Sequence, residues 1–410
     1  MNKNTIQKPE LLAPANNLDI LKMAFLYGAD AVYCGTPAFA MRSRVGFDLK
    51  SLKEGIDYAH SIGKKVFVTL NAFPHAGEIE KLKKHIPKII KLNPDALIIA
   101  DPGVLSYVNE NFKIPIHLST QANTTNQLST KFWAKQGIER IVLARELNLK
   151  EIKQIHDETP EIALESFVHG AMCMAYSGRC QISNYMTGRD PNKGECIQAC
   201  RFKYKMYALE EELRPDQSFP IYEDEEGSHI LNSKDLCMID HLEDLIEAGV
   251  VSLKIEGRLK SEYYVATVIQ AYRQAVNLLF DNPSKYKKAK LNLKKEVAKA
   301  ANRGLTTGFY FNKPNTETNN YKSAKTHAEW GYVGRVISYD EDKKMLKFEG
   351  KNYLPTGAKI EILTPDTIFK TKIERIYRNN ELIETAHSGY IVEIPFDFSI
   401  PKDSLIRAKI

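Results

Sequence analysis

No stretch of this 410-residue chain reaches the run of roughly 18 apolar residues needed to cross a bilayer. The opening MNKNTIQKPELLAPA also lacks the apolar core of a secretory leader, so a cytoplasmic protein with no membrane partner is expected. Several catalytic signatures are missing too: no GxGxxG follows a strand-like run, and there is no GxxxxGK[ST], HExxH or GxSxG. Nucleotide-driven, zinc-protease and serine-hydrolase chemistry lose support with them. Charge bias is slight: 57 Lys and Arg against 51 Asp and Glu leave a net +6, which permits an anionic or RNA substrate without demanding one.

What is present is core-forming material, 43% apolar and 10% aromatic residues, enough for a large core and two domains. From Glu10 to Gly257 short apolar runs alternate with amphipathic stretches of helical period, the mark of βα units around a parallel sheet. ELLAPA (10–15), DAVYCG (30–35), KVFVTLNA (65–72), DALIIAD (95–101), IHLSTQA (116–122), RIVLARE (140–146), ALESFVHG (163–170) and VVSLKIEG (250–257) read as strands. Intervening segments such as NLDILKMAFLYG close on glycine, as helices do. This rhythm predicts an α/β fold, a (β/α)8 TIM-like barrel in preference to an open doubly wound sheet. It breaks after the seventh strand, where an insertion over about 171–240 opens with a cysteine-rich segment and holds an acidic hairpin turning at Glu226-Gly227.

Residues 1–281 are thus expected to form the barrel domain. Residues 282–328 are expected to form a helical and linker segment containing the lysine-rich KYKKAKLNLKKEVAKA, read as a solvated face. From 329 to 410, runs such as YVGRVISY and KMLKFEG predict a small all-β barrel domain.

The ends of barrel strands line the mouth where active sites sit. The polar residues there are Asn71, Asp101, Gln121, Arg145, Glu165, His169, Lys254, Glu256 and Arg258. Arg145, Lys254 and Arg258, with Arg42 and Arg44 of FAMRSRVGF, suit substrate carboxylates or phosphates: guanidinium binds either bidentately, and ammonium adds a point charge. Asn71 and Gln121 add hydrogen-bonding groups to substrate binding. Glu165, His169 and Glu256 are the acid–base candidates, and an ion pair between strands, such as Glu256 with Lys254 or Arg145, is the competing structural role.

Four of the six cysteines stand at Cys173-x6-Cys180-x15-Cys196-x3-Cys200. Disulfides are rare in a reducing compartment, so these read as ligands or catalytic thiols. Four thiolates serve either zinc or an iron–sulfur cluster. Only the second pair has the short spacing of a zinc knuckle, while the wide spacing with Gly178, Gly188 and Gly194 leaves room for a cluster; spacing alone keeps both open. Cys34 and Cys237 remain in reserve, and a lone catalytic thiol would depend on His169 as its base.

ESFVHGAMCMAYSGRCQIS resembles the signature of the collagenase-like peptidases of unknown catalytic type, and GECIQACRF, ILNSKDLC, LKIEGR and NRGLTTGFY follow in that family's order. The likeness runs from ELLAPA to the C-terminal β domain. Better understood members of that family are oxygen-independent hydroxylases of tRNA, 23S rRNA or ubiquinone precursors, with a 4Fe-4S cluster on cysteines of this segment. The resemblance therefore implies a 4Fe-4S cluster on Cys173, Cys180, Cys196 and Cys200, with Cys237 or Cys34 able to replace one of them. Chain length, the small C-terminal domain and EDEEGSHILNSKDL are similar to the branch that hydroxylates C5 of wobble uridine in tRNA, with prephenate as cosubstrate. Prephenate carries two carboxylates, in keeping with the cations at the mouth. The implied partners are tRNA, this small carboxylic acid and an electron donor. The alternatives are hydroxylation of ribosomal RNA or a quinone precursor and, from the family's name, metal-dependent peptidase activity.

Overall fold

The computed structural model describes residues 7–41, 46–173, 175–177, 180, 182–201, 223–224, 227–228, 233–300, 302–312 and 329–409. Eight parallel strands close into a barrel: β1 (Glu10–Pro14), β2 (Ala31–Gly35), β3 (Lys65–Leu70), β4 (Ala96–Ile99), β5 (Ile116–Leu118), β6 (Arg140–Val142), β7 (Ala163–Ala171) and a closing strand, Val250–Ile255. Each pairs with the next, and Val250–Ile255 pairs with both β7 and β1. Barrel strands are covered on both faces, which is why the apolar runs are continuous rather than alternating. All five residues of β2 are buried.

Helices α1 (Leu18–Leu26), α2 (Leu49–Ser61), α3 (Ile79–Ile90), α4 (Pro102–Asn111), α5 (Gln127–Lys135) and α6 (Leu149–Glu158) alternate with these strands. Asn17, Asp48, Asp101, Asn126 and Asn148 start five of them, each side chain accepting a hydrogen bond from a backbone N–H in the first turn. Asp101 is thereby occupied as the cap of α4, not as a mouth group. β5 and β6 are shorter than expected. After Leu118 the chain tightens into the 3-10 turn Thr120–Ala122, with Ser119 accepting from the Gln121 N–H.

β7 has three neighbours. β6 leaves it after Glu165, the closing strand follows it as far as His169, and the short strand Asp235–Cys237 pairs antiparallel with it from His169 to Ala171. Ile255 pairs with His169 directly after Lys254 pairs with Phe167, so Val168 is skipped and β7 carries a bulge. Gly170 follows at φ +106°, where a Cβ would stand 2.6 Å from the Glu256 carbonyl oxygen. Asp235–Cys237 also pairs with Leu305–Thr306. Within the excursion from Ala171 to Asp235 lie α7 (Ile182–Thr187) and an antiparallel pair, Glu223–Asp224 with Gly227–Ser228, which is the acidic hairpin. Its expected turn residue Glu226 and the polar run 313–328 fall outside the described residues.

Helix α8 (Leu242–Glu247) precedes the closing strand, and α9 (Glu262–Asp281) and α10 (Pro283–Ala298) follow it. The lysine-rich run forms α10 and lies against the barrel: Tyr286 Oη donates to the Ile239 carbonyl at 2.8 Å, and Lys294 pairs with Asp240 at 2.8 Å. Lys285, Lys287, Lys288 and Lys295 face solvent. Among the described residues no helix is long and apolar enough to cross a membrane.

The C-terminal unit is an eight-stranded antiparallel sheet around its own apolar core, including Val336, Phe348, Ile362 and Val392. Its edge strands, Ile368–Lys372 and Glu381–Ile383, do not pair with each other, so the expected small barrel is not closed by hydrogen bonds among the described residues. The sheet is fastened to α9, α10 and the end of α1. Tyr263 and Tyr332 stack at 5.6 Å, Tyr27 Oη donates to the Leu363 carbonyl at 2.7 Å, and the fully buried Arg407 reaches Glu361 and Glu296 at 2.5 Å each.

Candidate functional site

A cavity of about 1020 Å³, counted out to its open side, lies at the C-terminal ends of the barrel strands. Tyr33 from β2, Thr69 from β3 and Asn71 just after it, Gln121 after β5, Arg145 after β6, Lys254 from the closing strand and Glu256 and Arg258 after it line it, and Cys173, Cys180, Cys196 and Cys200 also face it. The fold thus brings together six polar residues singled out in the sequence, Asn71, Gln121, Arg145, Lys254, Glu256 and Arg258, with all four clustered cysteines. Arg42 and Arg44 fall outside the described residues.

Each cation is held in place. Arg258 donates to Thr69 Oγ1 at 2.9 Å and to the Met41 carbonyl. Lys254 Nζ lies 2.6 Å from Glu165 and 4.1 Å above the Tyr33 ring. Arg145 stacks 4.0 Å from the Phe167 ring centre and points Nη1 at Cys173 Sγ, 3.8 Å away; its buried Nε has no hydrogen-bond partner among the described residues. Asn71 donates to Ser119 Oγ at 3.0 Å and accepts from the Met41 N–H, and Glu256 accepts from Tyr33 Oη at 3.2 Å.

Two acid–base candidates do not reach the cavity. Glu165 sits one layer below in the barrel interior, fully buried between Lys254 and Arg140, which in turn meets Glu10 at 2.5 Å. Burial alone would raise its carboxyl pKa, but Lys254 and Arg140 hold it below the usual carboxylate range. This is the ion-pair alternative, formed with a different carboxylate from Glu256. His169 is turned outward by the bulge at Val168 and packs against Tyr264 and Tyr272, with ring centres 6.0 and 5.5 Å away. Burial, then Lys260, pushes its pKa down to about 3. Cys34 and Cys237 are also buried away from the cavity, and burial pushes their thiols up to about 12 and about 11.

His117, in the barrel interior, is likewise pushed down to about 3 by burial and by Arg140. Both histidines are neutral in the fold, whereas unfolded they titrate near 6.5. Their contribution to stability is therefore complete above about pH 6.5 and is lost as pH falls toward the folded value, at roughly 1.4 kcal/mol per pH unit for each. The expected result is a urea midpoint that drops clearly between pH 7 and pH 5; an unchanged midpoint would show that neither ring is protected.

None of the four cavity cysteines is in a disulfide. Asn192 grips Cys180 from both sides, its Oδ1 accepting from the Cys180 N–H at 3.2 Å and its Nδ2 donating to the Cys180 carbonyl at 2.8 Å. Cys196 Sγ accepts from the Gln198 N–H at 3.4 Å and lies 3.9 Å from Ser183 Oγ; Gln198 adopts a left-handed φ of 61°. Burial raises the Cys180 thiol pKa, against the opposing effect of a backbone hydrogen bond from Ile182. Among the described residues no three His, Cys, Asp or Glu side chains converge tightly enough to grip a single metal ion. The donor set, four thiols facing one cavity with the Gln198 N–H directed at the Cys196 sulfur, is of the kind that could hold an iron–sulfur group.

Sequence reasoning missed Tyr33, Thr69 and Asn192. Tyr33 and Thr69 were single polar-tipped residues inside apolar runs; Asn192 sits in DPNKG, where Asp190 Oδ1 accepts from the Asn192 N–H at 2.8 Å. A turn signal between cysteines was legible there, but the backbone it would grip was not.

The family model described as peptidase family U32 matches residues 16–320, and that of the U32 C-terminal domain matches residues 328–407. The tRNA hydroxylation protein P of Haemophilus influenzae is 38% identical, over 98% of this chain and 96% of its own. The tRNA hydroxylation protein P1 of Bacillus subtilis is 36% identical over 98% of this chain and 95% of its own. The 23S rRNA 5-hydroxycytidine C2501 synthase of Escherichia coli is 36% identical over 86% of this chain and 49% of its own. Matches of this extent across both parts of the chain place it, barrel and sheet together, in peptidase family U32.

Proposed function

We propose that this chain is an RNA hydroxylase, and specifically that it hydroxylates C5 of the wobble uridine of tRNA without molecular oxygen, using prephenate and a 4Fe-4S cluster. One observation carries the reading: four thiols line a single cavity together with Arg145, Lys254 and Arg258. The names of the relatives, two tRNA hydroxylation proteins and an rRNA hydroxycytidine synthase, support RNA as the substrate class.

The chain's own residues divide the work. Arg145 and Arg258 present planar guanidinium groups able to pair with the two carboxylates of a small acid, and Lys254 adds a fixed positive charge. Glu165 lies behind Lys254 and fixes its position at 2.6 Å. Asn71 and Gln121 supply uncharged hydrogen-bonding groups at the rim. Among the described residues Glu256 is the carboxylate that lines the cavity, and it is the acid–base candidate. Cys173, Cys180, Cys196 and Cys200 would hold the cluster, with Asn192 and the Gln198 N–H orienting the loop around the sulfurs. A cluster of this kind supplies one-electron chemistry and substrate activation when bound.

The peptidase reading has less support. Ser119 and Ser177 line the cavity, but no histidine does among the described residues, so neither hydroxyl has the neighbouring base a serine nucleophile requires. Nucleoside mass spectrometry of tRNA decides the matter: deleting the gene is expected to remove 5-hydroxyuridine and its derivatives, and a plasmid copy to restore them. Unchanged nucleosides in the deletion strain would overturn the proposal.

A further inference from the structure

A second, smaller and open-sided cavity abuts the first. Arg145, Cys173, Tyr176 and Ser177 line both, whereas Glu146 and Phe309 line only the smaller one. Tyr176 is 62% exposed, which leaves a ring face available at the boundary between the two. The polar groups are arranged in a pattern. Glu146 is held by the Ser177 N–H at 3.0 Å, with its other oxygen 3.5 Å from Ser177 Oγ, so a positioned carboxylate acceptor lines the smaller cavity.

A base splayed out of single-stranded RNA offers a π face for stacking and a Watson–Crick edge for hydrogen bonds. On uracil that edge is an N–H donor between two carbonyl acceptors; on cytosine the middle position is an acceptor beside an amino donor. A carboxylate accepts from uracil N3–H; in the same register it faces the lone pair of cytosine N3 and can meet the cytosine amino group only if the base shifts along its edge. An aromatic face suits either base.

We propose that the smaller cavity receives an unstacked uracil base, with Tyr176 as its stacking face and Glu146 accepting from its N3–H. The inference rests on the RNA-hydroxylase reading of the larger cavity, and it names Glu146 as a specificity-determining residue. The shared wall of Arg145, Cys173 and Tyr176 then sets the base beside the cysteine site while the acid occupies the barrel side.

The test is equilibrium binding of two anticodon stem-loop RNAs, identical except for U or C at the wobble position, to the anaerobically purified full-length chain. The wild-type chain is expected to favour the U form by roughly fivefold or more. Tyr176→Ala is expected to weaken both RNAs by roughly tenfold, as loss of a stacking ring does, and Tyr176→Phe to stay within about twofold of wild type. Glu146→Gln is expected to erase the preference for U. If Tyr176→Ala and Glu146→Gln both bind as the wild type does, the pocket assignment is overturned and the RNA reading stands. A wild-type chain that binds neither RNA overturns the RNA reading itself.

Discussion

If the proposed 4Fe-4S hydroxylase reading holds, Cys196→Ala is expected to lower tRNA hydroxylation by at least about 100-fold, and iron per chain with it, because loss of a ligand would exceed the 10–100-fold typical of losing a group behind one. Cys196 is the sharpest choice among the four, since the Gln198 N–H already points at its sulfur and the local backbone is set for that contact. Cys34→Ala and Cys237→Ala provide the contrast. Both thiols are buried outside the cavity and held protonated at neutral pH by burial. Removing either is expected to cost about 1 kcal/mol of stability and to leave iron and hydroxylation within about twofold. Iron analysis and nucleoside mass spectrometry on the three variants read both quantities. If Cys34→Ala or Cys237→Ala loses iron as Cys196→Ala does, a reserve cysteine is a ligand and the four-cysteine assignment fails.

Glu165→Leu is the second large effect, this time on stability. The carboxylate is fully buried and serves both Lys254 at 2.6 Å and Arg140 at 3.2 Å. Removing it strands buried positive charge, which costs about 3–5 kcal/mol. Arg140 retains Glu10, so most of the burden falls on Lys254. Because the folded carboxyl titrates below its unfolded value near 4.3, its contribution is present above that pH and is lost as pH falls through the folded value. Urea denaturation at pH 7 measures the loss, and Glu165→Leu/Lys254→Met is expected to recover part of it by removing both charges. A single-variant loss under about 1 kcal/mol would mean that water reaches the pair.

The barrel strands were legible because strands buried on both faces must be apolar throughout, a signal that survives without knowing the partners. Where the sequence reading placed polar residues, it depended on counting to the last residue of each strand. That count held for Arg258 and Asn71, both on the cavity. It misplaced Glu165, which belongs to an interior layer, since periodicity gives the face of a residue but not its depth. It misplaced His169 for a different reason: a single skipped residue, Val168, reverses which side the next side chain takes, and nothing in ALESFVHG signals the bulge. The grouping of Cys173, Cys180, Cys196 and Cys200 was legible from position after the seventh strand, whereas the grip of Asn192 on Cys180 depends on how a loop folds back.

The pairing of Ala171 with Asp235 fixes the two ends of the cysteine-bearing excursion side by side on the barrel rim. With its ends held together, the excursion closes as a loop whose entropic cost grows by only about 0.6 kcal/mol per doubling of length. Lys193 meets Glu78 at 2.8 Å and the Ser177 N–H meets Glu146 at 3.0 Å, so the cysteine segment is seated on this chain's own strand-end loops as well as tethered at its neck.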